Sequence, residues 1–436
     1  MSRTRREFIK AALGGSLVAC SGARLPGLCD RSARAATPGK RRDTVLVVVE
    51  LAGGNDGLNT VVPYSDRQYI ESRPTLHLPA DKVHKIDSKL GFHPRMDAFM
   101  RLYEEGHLSV VQGVGYPNSN RNHEAAARDW HSAAPGDANC QTGWLGRAAD
   151  EPSRLQGASR LQGASRLKGA VRLDEASVPA AFIGSGKRPF SLHAAKAVVP
   201  GISSLDQHVL RTIPNGDGLG GLGLEQAAKA PRPGNPNRLL NFLQQGTLEA
   251  CAASRRLRAV AQDAKSAGDY PPFHLAKMLR LVARLIRADV GIRIFCTDLG
   301  GGDIGGFDNH ANQLGNHCAL VNQLSESVAA MVDDLKRDNL LDRVLLMTCS
   351  EFGRTLAENG RHGTGHGAAA PVFLVGGRLK GGLVGEHPSL KDLDQGAQKV
   401  HTDFRRVYAT ALESWLGMDS RAVLGAQYKP LDVFRA

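Results

Sequence analysis

The run TVLVVVEL (Thr44–Leu51), which leads into AGGNDGLNT (Ala52–Thr60), decides the predicted fold. It is short, rich in β-branched residues and lacks polar alternation, which is typical of a strand buried on both faces of a parallel sheet. Four other runs share these properties: Leu108–Val114, Ile292–Leu299, Val344–Ser350 and Pro371–Gly377. The sequence therefore predicts a sheet of buried, parallel strands.

Helical periodicity appears between and after these runs. Apolar residues recur at helical spacing in three segments, Phe273–Val290, Cys318–Leu335 and Phe404–Leu416. Strands that alternate with such helices predict an α/β fold, with a central, largely parallel sheet sandwiched between helices. The chain has 436 residues, 42% of them hydrophobic, and we expect residues 43–436 to form a single α/β domain. No apolar run reaches the roughly 20 residues of a membrane-spanning helix, so we predict no membrane span.

Residues 1–42 are predicted to be a signal and leader. TRREFIK (Thr4–Lys10) precedes a weakly apolar, Gly-containing stretch, as in a twin-arginine export signal; the alternative is a basic amphipathic helix. Two cleavage patterns compete, a lipoprotein box at Leu17–Cys20 and a small-x-small site at Ala33–Ala35. We therefore expect the twin-arginine translocon as a partner, and a periplasmic protein that is lipid-anchored if Cys20 is lipidated.

The positive charge of the chain is concentrated in two segments. The net charge is +12, of which residues 1–42 contribute +8 and residues 153–172 contribute +5, so the rest is nearly neutral. This distribution argues against nucleic-acid binding. Residues 153–171 are three copies of a hexamer, SRLQGA-SRLQGA-SRLKGA, and a final Val; they are predicted to be a surface insertion or, alternatively, a basic patch for a partner. The Gly- and Pro-rich stretch Pro214–Pro236 is predicted to be a loop.

Acidic and histidine residues follow the ends of the predicted strands. The carboxyl ends of parallel strands meet at one edge of a sheet, where sites form. Carboxylate oxygens and imidazole nitrogens are suitable ligands for a divalent cation such as Zn²⁺ or Mn²⁺. Each residue alone is as well explained by a turn or helix cap. Together they predict a metal site formed by Asp56, Asp308, His310, His317, Glu351 and His366.

Several long motifs resemble one protein family. These are LAGGNDGLNTVVPY (Leu51–Tyr64), QGVGYPNSNRNHE (Gln112–Glu124), GWLGR (Gly143–Arg147), FDNHANQLGNH (Phe307–His317), SEFGRTLAENGRHGTGHGAAAP (Ser350–Pro371) and TDFRRVYAT (Thr402–Thr410). They resemble the signature blocks of a bacterial, twin-arginine-exported family known as domain of unknown function 1501, which is related to the alkaline phosphatase and sulfatase superfamily. The resemblance extends from about Thr44 to Phe434 and is interrupted by the hexamer insertion.

The resemblance implies an alkaline phosphatase/sulfatase-like fold with one or two metal ions at the strand ends. Asp56 resembles the aspartate after the first strand, and Glu351 occupies the place of the aspartate in an Asp-His pair. Asp308, His310 and His317 resemble one metal-binding group, and His366 resembles the late histidine ligand.

The sequence departs from the family pattern at four positions. Phe352 replaces a histidine ligand, and Gly365 replaces a carboxylate. Asn309 stands where the family often has threonine, and Asn122 stands where many relatives have serine. A second metal site is therefore incomplete.

A superfamily hydrolase needs a nucleophile beside the metal. We predict Ser119, with Thr60 and Ser132 as alternatives, and we expect Arg121 and His123 to bind an oxyanion. The arginines Arg354, Arg405 and Arg406 are further candidates for that role.

The sequence thus predicts an exported hydrolase of phosphate or sulfate esters that depends on Zn, Mn or Ca and acts on an anionic small molecule or polymer. The alternative is a catalytically degenerate binding or accessory protein on the same scaffold, one that handles a surface polysaccharide or polymer.

Overall fold

The computed structural model describes residues 44–151, 179–197, 199–204, 268–289, 291–300 and 305–435. The predicted leader (1–42), the hexamer insertion (153–172) and the loop Pro214–Pro236 lie outside these residues.

The strands within the described residues range from two to eight residues and form three sheets. They are β1 (Val45–Leu51), β2 (Val61–Val62), β3 (His84–Lys85), β4 (Gly91–Phe92), β5 (Leu108–Gly115), β6 (Ala180–Ile183), β7 (Gly201–Ile202), β8 (Ile294–Leu299), β9 (Val344–Ser350), β10 (Arg354–Glu358), β11 (Thr364–His366), β12 (Ala370–Gly376), β13 (Gly382–Val384), β14 (Leu393–Asp394), β15 (Ala397–Gln398) and β16 (Thr402–Asp403).

The helices range from short turns to a helix of 25 residues. They are α1 (Gly57–Thr60), α2 (Arg67–Ser72), α3 (Asp97–Glu104), α4 (His123–Ser132), α5 (Trp144–Asp150), α6 (His274–Arg287), α7 (Gln313–Arg337), α8 (Phe404–Ala409) and α9 (Ser420–Leu424). A π-helical segment, Thr410–Leu416, continues α8. The three predicted helical segments are therefore confirmed.

The large sheet has the order β13-β5-β12-β9-β1-β8-β6-β7, and β16 pairs with β5. Strand β1 lies at its centre, parallel to both β8 and β9, with Val48 opposite Cys296 and Met347. All five predicted strands are present. The predicted α/β architecture with a central, largely parallel sheet is confirmed.

The run Pro371–Gly377 is an exception, because β12 is antiparallel to both β5 and β9. The prediction that it is a parallel strand was wrong. A parallel neighbour needs a long crossover, usually through a helix. Here the chain leaves β9, forms the antiparallel pair β10–β11 and returns directly into β12, so β12 runs in the opposite direction.

Alternate side chains of β1 enter two separate cores. Val45, Val47 and Val49 pack with apolar residues of α3, α6 and α7, whereas Leu46 and Val48 pack with residues of α5, α8 and the π-helical segment. This alternation is the expected result for a strand with a helical layer on each face. In the part of the chain that the structure describes, no helix is both long and apolar enough to span a membrane.

Candidate metal centre

The loop that follows β8 is held against the turn that follows β1. The Phe307 amide donates to the Ala52 carbonyl at 2.7 Å, and the Phe307 ring is buried. Gly53 has a φ of +104°, and a Cβ there would lie only 2.6 Å from the Asp308 amide nitrogen. The two turns therefore touch backbone to backbone, which places Asp308 at the carboxyl edge of the sheet.

Four side chains converge at this edge. One donor atom from each of His123, Asp308, His310 and His366 lies within 4.8 Å of the other three, and we call these residues the Asp308 cluster. Asp308 Oδ1 is 3.0 Å from His310 Nε2 and 3.3 Å from His366 Nε2, and Asp308 Oδ2 is 3.3 Å from His123 Nε2. The two nitrogens His310 Nε2 and His366 Nε2 are 2.8 Å apart. These atoms surround a common point.

The outer nitrogens of two histidines are held by hydrogen-bond acceptors. His366 Nδ1 lies 2.5 Å from the Arg121 carbonyl oxygen, and His123 Nδ1 lies 2.5 Å from Glu351 Oε1. Since both partners only accept, each Nδ1 is the donor, and each Nε2 faces Asp308. His123 Nε2 is buried and has no hydrogen-bond partner among the described residues.

Arg354 controls the charge of Asp308. Its guanidinium is 1% exposed and donates to Asp308 Oδ1 at 2.8 Å, and also to the Gly54 and Phe307 carbonyls. Burial alone would raise the pKa of Asp308, but the hydrogen bond and charge of Arg354 lower it. Burial also lowers the pKa of His310, against the opposing charge of Asp308. The cluster therefore combines an anionic carboxylate with neutral imidazole, the states that metal ligands need.

Phe352 forms an apolar wall of the cluster. Its buried ring stacks on His366 with centroids 4.6 Å apart and lies 4.9 Å from the His123 ring. It occupies the position where the family resemblance places a histidine. A phenyl ring offers no ligand atom, but it restricts the orientation of both imidazoles.

Three of the six predicted ligands, Asp56, His317 and Glu351, lie outside the cluster, and we correct the predicted ligand set accordingly. Both Asp56 oxygens accept from Arg73, at 2.6 and 3.0 Å, and Gln313 donates to the same carboxylate. Burial would raise the pKa of Asp56, but Arg73 lowers it. An unpaired carboxylate would be costly to bury. The Asp56 carboxylate has Arg73 as its counter-charge.

His317 belongs to the same buried network. Its Nε2 lies 3.2 Å from Asn55 Oδ1 and 3.3 Å from Thr60 Oγ1. Burial lowers the pKa of His317 to about 4. The ring is therefore a neutral hydrogen-bonding group of the interior.

Glu351, which was also predicted to be a ligand, lies beside the cluster but is not part of it. Its Oε1 accepts from His123, and its Oε2 accepts from the Gly53 amide at 3.1 Å. It therefore lies behind His123, where a carboxylate orients the imidazole without itself reaching the centre of the cluster.

The predicted catalytic residues are dispersed. The Arg121 guanidinium donates to the carbonyls of Asp394 and Gln395, at 2.9 and 3.0 Å, so it is engaged outside the cluster. Ser119 is half-buried in the turn between β5 and α4. His123, predicted to bind an oxyanion, faces Asp308 instead.

The alternative nucleophiles form internal hydrogen bonds. Thr60 Oγ1 donates to the Asp56 carbonyl at 2.8 Å, and Ser132 Oγ donates to the Asp129 carbonyl at 3.2 Å. Both side chains are buried. Their hydroxyl groups therefore form hydrogen bonds within the folded structure.

Replacing Arg73 with methionine should cost about 3–5 kcal/mol in the free energy of unfolding, because it leaves the Asp56 carboxylate buried without a counter-charge. Urea unfolding measures this loss. The matched control is Arg67→Met, which removes an exposed pair with Glu71 and should cost at most about 1 kcal/mol. Equal effects of the two substitutions would contradict a structural role for the Arg73–Asp56 pair.

Comparison with known families gives one match. A family described as a protein of unknown function (DUF1501) matches residues 247–429. This range includes Asp308, His310 and His366, but it begins after His123. Comparison with curated proteins gives no match.

Solved structures are similar over most of the chain, at low sequence identity. The lipoteichoic acid synthase LtaP from Listeria monocytogenes is 7% identical, with 86% of this chain and 79% of that chain covered at a TM-score of 0.35. The periplasmic domain of EptC from Escherichia coli, in complex with Zn, is 10% identical, with 81% and 76% covered at 0.32. A third, Ps i-CgsB in complex with k-i-k-neocarrahexaose, is 11% identical, with 88% and 73% covered at 0.33.

Proposed function

We propose that this protein is an exported hydrolase of phosphate or sulfate esters that binds one divalent metal ion through His123, Asp308, His310 and His366. The observation that supports this most is the convergence of four donor atoms from three separate segments of the chain, all within 4.8 Å of one another. The buried His123 Nε2, which lacks a hydrogen-bond partner in the described part of the chain, is explained if it is a ligand.

The donor set suits a transition metal or zinc. Three imidazole nitrogens and one carboxylate oxygen are ligands that Zn²⁺ and Mn²⁺ accept. With Zn–N bonds of about 2.0–2.1 Å, the ligand atoms around one zinc ion lie roughly 3–3.5 Å apart. This is close to the 3.0 Å from Asp308 Oδ1 to His310 Nε2, the 3.3 Å from Asp308 Oδ2 to His123 Nε2 and the 2.8 Å between the Nε2 atoms of His310 and His366. The residues present therefore fit such an ion.

The surrounding residues prepare the site for an anionic ester. Arg354 keeps Asp308 ionised, and Glu351 and the Arg121 carbonyl orient two imidazoles. Phe352 excludes water from one side. A bound divalent ion would act as a Lewis acid toward a phosphoryl or sulfuryl oxygen. Asp308 and His310 are 41% and 37% exposed, which leaves the cluster open to a substrate.

Protein purified without chelator should contain about one zinc or manganese ion per chain, measured by elemental analysis. The reason is that Asp56 and His317 are already satisfied by Arg73, Asn55 and Thr60, so among the described residues the Asp308 cluster is the candidate ligand set. Asp56→Asn should keep the ion, whereas His366→Ala should lose it. Absence of any metal would contradict the proposed function.

Turnover of aryl phosphates and aryl sulfates tests the reaction class. We expect hydrolysis of one of these substrates by the metal-loaded protein, and its loss after chelation. The dispersed positions of Arg121 and the alternative nucleophiles favour a second candidate, a metal-containing binding protein for an anionic polymer. Metal retention with no hydrolysis of either ester would support that candidate.

The proposed location rests on the leader. We propose export through the twin-arginine translocon into the periplasm, with lipid anchoring if Cys20 is modified. Mass spectrometry of the mature amino terminus distinguishes cleavage before Cys20 from cleavage after Ala35.

A further inference from the structure

We propose that the ion pair between Glu50 and His131 is a positioning device for His123, which it holds at the metal centre through helix α4. This inference rests on the proposed metal site. Glu50 and His131 are not among the predicted ligands, and neither touches the Asp308 cluster in the contacts between described residues.

Helix α4 has a histidine at each end, and each one meets a carboxylate at the edge of the sheet. His123, the first residue of the helix, bonds to Glu351, which follows β9. His131, eight residues later, places its Nε2 3.2 Å from Glu50 Oε2 in β1. Eight residues of α-helix span about 12 Å. The helix is therefore fastened to two adjacent strands by two carboxylate–imidazole contacts.

Glu50 is itself held rigidly. Its Oε1 accepts from Ser191 Oγ at 2.8 Å and from Cys296 Sγ at 3.6 Å, and the strand register places it opposite Cys349 and Asp298. Its side chain is 14% exposed. A carboxylate fixed on the central strand gives His131 a stationary anchor.

Each member of the pair favours the charged form of the other. Burial alone would raise the pKa of Glu50, but His131 lowers it. Burial alone would lower the pKa of His131, but Glu50 raises it. Glu351 adds a second negative charge near His131, and Asp298, whose own pKa burial raises, faces Glu50. A charged, partly buried contact has directional preference, which an apolar contact of the same helix lacks.

Further contacts of α4 lie beside the Glu50–His131 pair. Trp130 stacks on Phe404 with centroids 4.5 Å apart, and its carbonyl accepts from the Tyr408 hydroxyl at 3.2 Å. These contacts act at the carboxyl end of the helix. A small shift along the axis would move His123 Nε2 away from Asp308 Oδ2, which is 3.3 Å away.

Glu50→Gln should weaken Zn²⁺ affinity by about 10- to 100-fold, the range typical of residues that support a metal ligand. Competition between the full chain and a chelator measures the affinity. Asp334→Asn is the matched control, because it weakens the pair between the buried Asp334 and the partly exposed Arg287 at the far end of α7. It should lower stability but leave Zn²⁺ affinity unchanged.

A double-variant cycle separates positioning from a general structural effect. If Glu50 acts through His123, then Glu50→Gln should weaken Zn²⁺ affinity by less than twofold in a His123→Ala background. Equal losses in both backgrounds would overturn the proposal.

A variant in which both members of the pair are uncharged covers the case in which Glu50→Gln alone does not fold. If Glu50→Gln does not fold, the combination Glu50→Gln with His131→Gln removes both charges, so no unpaired buried charge remains. It should still weaken Zn²⁺ affinity at least tenfold. Unchanged affinity in a folded variant would overturn the inference and leave the proposed function intact, whereas a wild-type chain that binds no Zn²⁺ would overturn both.

Discussion

Replacing His310 with alanine should lower the affinity for Zn²⁺ or Mn²⁺ by more than about 100-fold, since loss of a direct ligand exceeds the effect of losing a supporting residue. Turnover of the aryl ester that the wild type hydrolyses should fall by about 10³-fold or more, because metal polarisation is worth several kcal/mol. His310 is 37% exposed, and within the described part of the chain its Nε2 contacts only members of the Asp308 cluster. The fold should therefore survive the substitution.

The control is a histidine nearby in the chain but outside the cluster. His362 is exposed, bonds through Nδ1 to Thr75 Oγ1 at 3.0 Å and has a φ of +57°. Asparagine tolerates this left-handed conformation, so His362→Asn should preserve both metal content and turnover. Equilibrium dialysis and a steady-state assay of the two variants make the comparison. Full metal occupancy in His310→Ala would remove His310 from the ligand set.

The sequence was sufficient to predict the layer architecture, for a physical reason that β1 illustrates. A strand buried on both faces must be apolar throughout, and TVLVVVEL is apolar apart from the threonine at its start and Glu50 near its end. The direction of β12 could not be predicted in the same way. Its composition matches that of a parallel strand, and its direction depends on the β10–β11 pair that precedes it.

The site was predictable in part. Asp308, His310 and His366 follow strand ends and were expected to converge, and the structure brings them together. Asp56 gave the same sequence signal, but Arg73 neutralises it. Arg73 lies seventeen residues from Asp56, in no recognisable motif. Local sequence pattern reveals which carboxylates reach an edge but not which ones already have a buried counter-charge.

The sequence indicated that His123 is a functional residue, but we predicted that it binds an oxyanion. It follows Asn122, whose side chain caps α4 by accepting from the Ala125 amide, so the position of His123 at the start of a helix was predictable. Its contact with Asp308 depends on the tertiary approach of α4 to the β8 loop. This approach involves the Glu50–His131 pair. Its two residues are eighty-one positions apart in the sequence, and no local sequence pattern links them.

Replacing Gly53 with alanine should destabilise the protein by about 2–6 kcal/mol and abolish metal binding. A φ of +104° strains any residue with a side chain, by about 1–3 kcal/mol. The new Cβ would also lie 2.6 Å from the Asp308 nitrogen and 2.9 Å from the Phe307 nitrogen. Both are backbone atoms, so relief requires the Asp308 loop to move, at a cost of about 1–3 kcal/mol from overpacking.

A second glycine separates the two causes. Gly136 has a φ of +79°, but a Cβ there would meet nothing within 4 Å. Gly136→Ala should therefore cost only the backbone strain, about 1–2 kcal/mol, and leave the metal in place. Urea unfolding and elemental analysis of both variants give the comparison. If Gly53→Ala retained its metal and lost no more stability than Gly136→Ala, the close contact between the β1 turn and the Asp308 loop would not be what holds the centre together.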